Sequence, residues 1–302
     1  MSSSASLVIH AYAKINLHLQ ILGLRPDGYH EVRTVLQSLD LHDTLAFSTA
    51  PGPFRLTCDQ PGVPTDARNL VWRAAQLLWS LRSGGDAPIE GAQVVLTKRV
   101  PAEAGMGGGS SDAAATLLAL SRIWGLSLDL ASLARIGARL GADVPFFLGG
   151  GTALGSGKGD EVSPLVEPPR TSVVVVKPPF GVSTPDAYDW FDQDRSARTS
   201  RVTRRTVPGW PAWAHDLHND LEPPVASRYP QIRRTVRELT ALGAIHAAMT
   251  GSGSAVFGLF GHPDVAAAAQ AALAGRGEAA VLTATLPGTV VARQRQRVLA
   301  GS

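Results

Sequence analysis

Residues 101–115, Pro-Ala-Glu-Ala-Gly-Met-Gly-Gly-Gly-Ser-Ser-Asp-Ala-Ala-Ala, join a glycine-rich loop to the start of a helix. Glycines permit positive φ and a close approach of the backbone to a ligand. Ser110, Ser111 and Asp112 are residue types that cap a first helical turn, and the run 113–120 is typical of a helix. The unpaired amides and positive dipole of such a helix favour an anion, so the pattern predicts a phosphate-binding loop. A flexible turn before an ordinary capped helix is the alternative.

This loop differs from two common phosphate-binding motifs. A P-loop requires Gly-x-x-x-x-Gly-Lys followed by Ser or Thr, but the only Gly-Lys pair, Gly157-Lys158, precedes Gly159 and has Thr152 at the first glycine position. A complete Gly-x-Gly-x-x-Gly, which dinucleotide-binding folds use, is absent from the sequence. The sequence therefore predicts a third design of phosphate loop.

A single carboxylate, Asp143, lies in the apolar stretch 141–153 beside Val144, Phe146 and Phe147. Partial desolvation by these neighbours would make it a better proton acceptor than an exposed aspartate. The alternative is a helix-terminal aspartate that bonds only to backbone amides. From this segment alone the two interpretations have equal weight.

Lys14 and Asn16 are polar residues two positions apart in the apolar segment 11–17, which is typical of a strand. Side chains two apart in a strand share a face, so the ammonium and the amide are expected side by side. A solvated or edge face of a sheet is the alternative interpretation.

The composition fits an intracellular enzyme. At 302 residues the chain is long enough for two domains. Cys58 is the only cysteine, which excludes an internal disulfide and a cysteine metal cluster and indicates a reducing compartment, the cytoplasm. Residues 1–6 carry no basic side chain and precede only a short apolar run, so we predict a loose tail with neither a signal peptide nor a membrane-spanning helix.

The charge of the chain argues against a nucleic-acid partner. The formal net charge is +3 and the pI is about 9.3, which is mild basicity of the kind expected for a protein that binds phosphorylated small molecules. The arginine-rich stretch 195–205 has no interleaved aromatic residues, so we interpret it as a solvated loop. We predict no nucleic acid and no membrane among the partners.

Hydrophobic periodicity and turn residues predict a mixture of strands and helices. We predict strands at 8–10, 15–22, 93–97, 172–176 and 255–260, a turn at 25–28, and helices at 69–81, 113–120 and 128–140. Gly141 is predicted to end the last of these helices. The proline-rich stretch 161–170 is the predicted domain boundary.

Seven segments, taken in order, resemble a known family of small-molecule kinases. They are 13–17 (Ala-Lys-Ile-Asn-Leu), 25–31 (Arg-Pro-Asp-Gly-Tyr-His-Glu), 105–115, 141–147 (Gly-Ala-Asp-Val-Pro-Phe-Phe), 155–161 (Gly-Ser-Gly-Lys-Gly-Asp-Glu), 219–222 (Asn-Asp-Leu-Glu) and 249–254 (Met-Thr-Gly-Ser-Gly-Ser). The third is similar to the phosphate loop of the GHMP kinase superfamily. The whole set resembles the 4-diphosphocytidyl-2-C-methyl-D-erythritol kinase family within it.

The resemblance implies a two-domain α+β GHMP kinase fold. Its N-terminal, ATP-binding domain (1–168) would be ribosomal-S5-domain-2-like, and its C-terminal, substrate-side domain (169–302) would be a ferredoxin-like α+β unit. The family resemblance also implies a cytoplasmic enzyme that is a monomer or a weak homodimer.

The implied reaction is transfer of a phosphoryl group from ATP, with Mg²⁺, to the 2-hydroxyl of a cytidine-diphosphate-linked methylerythritol, in the non-mevalonate route to isoprenoid precursors. By resemblance, Asp143 would accept the proton of the attacking hydroxyl and Lys14 would keep that aspartate ionised. Asn16 would orient the hydroxyl. No acidic residue near the loop is singled out as a metal ligand by its spacing.

The resemblance also implies which residues contact the two substrates. Tyr29 and Tyr188 would stack on the cytosine and His30 would bond to its edge. ATP would contact Asn69, Lys98, Pro101, Gly105, Met106, Gly107, Gly108, Gly109, Ser110 and Ser111. The turn 250–253 would close the site from the second domain.

Two alternative functions stay open. A GHMP kinase for a smaller alcohol, such as homoserine or a mevalonate derivative, would give Tyr29 and His30 no base to bind. A non-catalytic sensor derived from the same fold would not need Lys14 and Asp143.

Overall fold

The computed structural model describes residues 7–85, 87–194, 207 and 209–300. The predictions for the tail at 1–6 and for the arginine-rich stretch 195–205 concern residues outside this part of the chain. The fold is α+β. Its elements are β1 (Leu7–Leu24), β2 (His30–Pro53), β3 (Arg55–Cys58), α1 (Leu70–Ser83), β4 (Glu90–Thr97), α2 (Gly108–Ile123), α3 (Leu130–Ala138), α4 (Val144–Gly149), β5 (Thr152–Ser156), β6 (Glu161–Pro164), β7 (Ser172–Lys177), α5 (Thr184–Gln193), α6 (Glu222–Arg228), α7 (Pro230–Ala241), β8 (His246–Met249), β9 (Val256–Phe260), α8 (Pro263–Ala274), β10 (Ala279–Ala284) and α9 (Gly288–Ala300).

The first sheet has the order β3-β4-β2-β5-β6, and the long hairpin β1–β2 adds β1 along one side of β2. Helices α1 and α2 pack on it around a core that includes Phe47, Leu78, Leu117 and Phe146. Val298 of α9 belongs to this same core, so the last helix of the chain packs against the first sheet's layer although it follows the second sheet in sequence.

The second sheet is antiparallel with the order β10-β7-β9-β8. Strand β7, one of its two inner strands, contains an unbroken run of valines at 173–176, which is buried on both faces of the sheet. A shared apolar cluster joins the two sheets, with Ile15 and Leu17 of β1 packed near Val173 and Phe257. The chain leaves the first sheet at Pro164, the end of β6, and enters the second at Ser172, while the domain boundary at 161–170 stays a prediction.

Several segments distant in sequence hydrogen-bond to the edge of β1 that faces away from β2. The amide of His10 donates to the side chain of Gln294, that of Lys14 to the carbonyl of Met106, and that of Asn16 to Thr250 Oγ1. Further along, the Leu19 amide donates to the carbonyl of His218. An edge strand must have its backbone groups satisfied, and here that requirement brings the glycine loop and the 250–253 turn against one strand.

Three local predictions are wrong in their details. Helix α2 begins at Gly108 rather than at 113, and its N-cap is Gly107 in the left-handed region with φ 69°, so Ser110, Ser111 and Asp112 lie inside the helix instead of capping it. Helix α3 begins at Leu130 because the Asp129 carboxylate accepts from the Ser132 amide, and it ends before Gly141. The two strands predicted at 8–10 and 15–22 are one bulged strand, β1.

Candidate active site

Lys14, Asn16 and Asp143 form one cluster. Lys14 Nζ lies 2.6 Å from Asn16 Oδ1 and 3.4 Å from Asp143 Oδ2. The ammonium is almost completely buried, with 4% of its side chain exposed, whereas 35% of the Asp143 side chain is exposed. The predicted shared face of Lys14 and Asn16 is therefore confirmed, and it faces the carboxylate rather than solvent.

The surroundings of Asp143 agree with one of the two interpretations of the sequence. Val144 and Phe146 are buried in the core and the Asp143 side chain is partly buried, so the predicted partial desolvation is confirmed. The alternative is wrong, because Asp143 stands at the N-cap of α4 but its side chain makes no capping hydrogen bond. The carboxylate is thus accessible and held by one buried cation.

Two threonine hydroxyls hold Asn16 in place. The side-chain Nδ2 of Asn16 donates to Thr34 Oγ1 at 2.8 Å, and its backbone N–H donates to Thr250 Oγ1 at 2.9 Å. Asn219 secures the turn that carries Thr250, because its Nδ2 donates to the carbonyls of Met249 and Gly251. Thr34 and Asn219 have no role in the sequence prediction, although Asn219 lies in one of the seven recognised segments.

The glycine loop leads directly into the N-terminus of α2. The Gly107 N-cap makes no side-chain capping bond, and the Ser111 amide is the first to bond back into the helix, to the Gly107 carbonyl at 2.9 Å. The amides of the first turn are thus not occupied by a side-chain cap, which suits an anion at this end of a 16-residue helix. Of the loop residues, Ser111 and Met106 are buried, while Gly109 faces solvent.

Two glycines of the loop are required by close packing. A Cβ on Gly105, whose φ is 76°, would lie 2.2 Å from the Thr250 carbonyl oxygen. A Cβ on Gly107 would meet the Phe147 ring at 2.6 Å and Lys14 at 3.3 Å. The loop therefore touches both the 250–253 turn and Lys14 of the polar cluster.

Three other predicted ATP contacts, Asn69, Lys98 and Pro101, lie around this loop. Their side chains differ in burial and in hydrogen-bond partners. Asn69 is the N-cap of α1 and also donates to the Pro64 carbonyl, so its amide is engaged within the protein. The Lys98 ammonium is buried between the carboxylates of Asp43 and Asp112. Pro101 is half-buried at the start of the loop.

A cavity of about 690 Å³ reaches Gly141 and Ala142, the two residues before Asp143, and is lined by all three predicted base contacts, Tyr29, His30 and Tyr188. The His30 and Tyr188 rings are stacked, with centroids 4.9 Å apart and planes at 26°. Burial, and then the Asp143 charge, raise the pKa of Tyr188 to about 12, which keeps its hydroxyl protonated at neutral pH. Tyr29 is 60% exposed at the mouth of the cavity.

Lys158 and Asp192 also line this cavity, and neither was predicted to contact a substrate. Lys158 Nζ lies 4.7 Å from the centre of the Tyr29 ring, and His30 Nε2 lies 3.1 Å from Asp192 Oδ1. Lys158 comes from the recognised segment 155–161, which was a usable signal. Asp192 lies in no such segment, and only the packing of α5 against the hairpin tip brings it to His30.

Within the part of the chain that the structure describes, no group of three or more His, Cys, Asp or Glu residues is arranged to hold a metal ion. In that same part, no helix combines the length and the apolar character needed to cross a membrane.

Comparison with protein families finds two matches. Residues 69–151 match the GHMP kinases N-terminal domain, and residues 208–279 match the GHMP kinases C-terminal domain. A 4-diphosphocytidyl-2-C-methyl-D-erythritol kinase of a Synechococcus species is 42% identical over 275 residues, covering 86% of each chain. The Pelotomaculum thermopropionicum protein of the same name is 44% identical over 254 residues, covering 82% of this chain and 87% of that one.

Solved structures give the same result. A crystal structure of 4-(cytidine 5′-diphospho)-2C-methyl-D-erythritol kinase superimposes with a TM-score of 0.75 at 33% identity, covering 92% of this chain and 98% of that one. Homoserine kinase from Cytophaga hutchinsonii has a TM-score of 0.62 at 18% identity over 95% of this chain and 96% of its own, which is a likeness of fold alone.

Proposed function

The chain belongs to the 4-diphosphocytidyl-2-C-methyl-D-erythritol kinase family of GHMP kinases, and we propose that the residues described above carry out that family's reaction. The enzyme uses ATP to phosphorylate the 2-hydroxyl of 4-diphosphocytidyl-2-C-methyl-D-erythritol, giving the 2-phosphate and ADP, in the methylerythritol phosphate pathway. The observation that carries the assignment of residues is the Lys14–Asp143 pair, with the glycine loop packed against Lys14 and the cavity at Tyr29 reaching Gly141 and Ala142 just before Asp143.

Asp143 is the proposed general base. It is accessible from solvent on one side and lies 3.4 Å from the buried Lys14 ammonium on the other, so it can accept a proton while Lys14 stabilises its charged form. The Lys14 charge also stabilises the developing alkoxide of the substrate. Asn16 is held by Thr34 and Thr250, and it orients both the ammonium and the hydroxyl. A positioned base of this kind contributes about 10²–10⁴-fold in rate.

The polyphosphate of ATP is proposed to lie on the glycine loop. The backbone amides at the start of α2 and the helix dipole would bind its oxygens, with Ser110 and Ser111 alongside. Phosphoryl transfer requires chiefly in-line alignment and neutralisation of charge, and a rigid loop adjoining Lys14 supplies the alignment. Pro101, Gly105, Gly107, Gly108 and Gly109 would contact ATP through the backbone. Met106, whose side chain is buried, would lie beneath the loop. Asn69, at the cap of α1, would border the adenine.

The cytosine is proposed to bind in the cavity at Tyr29. Tyr29 and Tyr188 offer flat aromatic faces, and the imidazole of His30 offers a ring nitrogen to the polar edge of the base. Asp192 holds the His30 ring through Nε2 and leaves Nδ1 for the ligand. Lys158, over the Tyr29 ring, brings a positive charge to the side where the diphosphate would pass.

Magnesium is proposed to arrive as part of the MgATP co-substrate, bound to phosphate oxygens. This fits a donor set in which the described acidic residues form no metal-binding group of their own. The partners are otherwise small molecules, and we propose a cytoplasmic monomer or weak homodimer.

The test is ATP consumption by the purified protein with Mg²⁺ and a panel of alcohols: the cytidylated methylerythritol, methylerythritol phosphate, homoserine and mevalonate. We expect turnover of the cytidylated compound alone, with the new phosphate located at the 2-position by ³¹P NMR. Turnover of an alcohol without a base would overturn the roles of Tyr29, His30 and Tyr188. No turnover with any of them, together with intact ATP binding, would favour a sensor.

A further inference from the structure

Beneath the glycine loop lies a buried cluster of three charged residues that the reaction does not use. The Lys98 ammonium is 8% exposed and bonds to Asp112 Oδ2 at 2.7 Å and to Asp43 Oδ2. Asp43 is fully buried, and its other oxygen accepts from the amides of Arg99 and Val100. The cluster thus ties β2, the segment after β4 and the first turns of α2 together.

The two carboxylates of this cluster differ in how well they are satisfied. Both oxygens of Asp43 have donors, whereas Asp112 Oδ1 is buried and has no hydrogen-bond partner. If both were ionised, one ammonium would face two negative charges, which is costly away from water. Burial, and then the Asp43 charge, raise the pKa of Asp112 to about 7, although the Lys98 charge opposes this.

The position of the cluster matters for the anion that binds above it. A Cβ on Gly108, the first residue of α2, would lie 3.3 Å from Lys98 Nζ, so the cluster lies directly behind the helix N-terminus. With Asp112 neutral, Lys98 and Asp43 cancel and the dipole of α2 acts undiminished. With Asp112 ionised, a net negative charge lies behind the loop and repels a polyphosphate.

We propose that Asp112 is a positioning residue for ATP: it holds Lys98 beneath the phosphate loop and carries a proton, taken from solvent, whenever ATP is bound. This rests on the proposed binding of ATP at the glycine loop. Among the described residues, Lys98 and Asp43 are the groups whose charges shift the pKa of Asp112. Lys98 then acts on ATP through the loop rather than by contacting the adenine.

The sign of the effect follows from linkage. If ATP favours the protonated form, the pKa of Asp112 is higher in the complex than its free value of about 7. Affinity for ATP is then full below about pH 7 and falls as the pH rises above it, and binding near pH 7.5 takes up protons. One unit of charge close behind the loop changes the affinity by about tenfold.

The experiment measures binding of the imido analogue of MgATP by calorimetry between pH 6.5 and 8.5, in buffers of different ionisation enthalpy. Asp112→Asn is the informative variant, since its side chain is uncharged like the protonated acid and its amide oxygen can still accept from Lys98. Asp59→Asn is the matched control, because Asp59 accepts from the Lys98 backbone amide but is exposed and does not reach the ammonium.

We expect wild type and Asp59→Asn to take up protons and to lose about tenfold in affinity over this range, and Asp112→Asn to do neither while binding normally at pH 6.5. The proposal is overturned if Asp112→Asn keeps the wild-type pH dependence, or if wild type takes up no protons. The proton measurement needs only the wild-type protein, so a poorly folded variant does not leave the question open. Turnover of the cytidylated substrate at pH 6.5 tests the proposed function separately.

Discussion

The glycine loop, where we propose that phosphate binds, and the cavity at Tyr29, where we propose that the base binds, both lie near the cluster of Lys14, Asn16 and Asp143, but they are built from different kinds of groups. The loop offers backbone amides, and its conformation is fixed by packing so tight that a Cβ on Gly105 would overlap the backbone of the second domain. The cavity offers side chains, some exposed at its mouth and held by single contacts, as in Lys158 over Tyr29 and Asp192 beside His30.

This difference indicates how each region tolerates change. A backbone site depends on conformation, so a single added methyl group can disrupt it, whereas changes that leave the backbone alone have little effect. A side-chain site loses contacts one at a time, and each loss is graded. The cluster of Lys14, Asn16 and Asp143 combines both, since Lys14 packs against the loop while Gly141 and Ala142, just before Asp143, line the cavity.

The largest effect is expected where the two regions meet. Asp143→Asn removes the proton acceptor but keeps the size of the side chain, so we expect kcat to fall about 10³-fold with the affinity for MgATP unchanged within a few-fold. Stopped-time assays of ADP formation and calorimetric ATP binding measure the two quantities. Asp160→Asn, which changes an acidic residue of the cavity wall, is the control and should retain most of the activity. Unchanged kcat in Asp143→Asn would remove Asp143 as the base.

The next effect tests the backbone character of the loop. Gly105→Ala forces a side chain into positive φ and against the Thr250 carbonyl, so we expect the free energy of unfolding to fall by about 2 kcal/mol or more and ATP binding to be lost in large part. Gly109→Ala is the matched control, because the nearest atom to its Cβ would be a Leu70 methyl at 3.5 Å. Thermal unfolding and ATP titration compare the pair. If the two variants unfolded and bound ATP equally well, the loop would not depend on the tight packing at Gly105, and its contrast with the cavity would be wrong.

The loop was easier to predict from the sequence than the groups around it, because its residues are contiguous whereas theirs are brought together only by the fold. The loop is contiguous, so a phosphate site at Gly105–Ser111 could be predicted from local pattern alone, although the helix start was misplaced because Gly107 caps α2 by its conformation. Lys14, Asn16 and Asp143 were predicted as a set by family resemblance, and their distances needed the fold. Asp192, Thr34 and the Asp43–Asp112 pair were missed, since only tertiary packing gives them partners.

A graded effect is expected at the inner wall of the cavity. Asp192→Ala frees the His30 ring from its bond to Nε2, so we expect KM for the cytidylated substrate to rise about tenfold with kcat little changed. His30→Ala should give a rise at least as large, and the double variant should be no worse than His30→Ala, because Asp192 acts through His30. Steady-state kinetics of the three variants measure this. Additive losses would mean that Asp192 contacts the substrate independently.

The smallest effect is expected at the exposed mouth. Tyr29→Leu keeps an apolar side chain but removes the aromatic face, and since Tyr29 is 60% exposed its stacking is worth about 1 kcal/mol, or roughly a fivefold rise in KM. Tyr29→Phe keeps the ring and should be near wild type in the same assay. Lys158→Met tests whether the cation over the ring contributes through Tyr29, in which case its effect should shrink in the Tyr29→Leu background. If Lys158→Met costs as much there as in wild type, Lys158 contacts the substrate itself, and the mouth of the cavity is then an electrostatic site rather than an aromatic one.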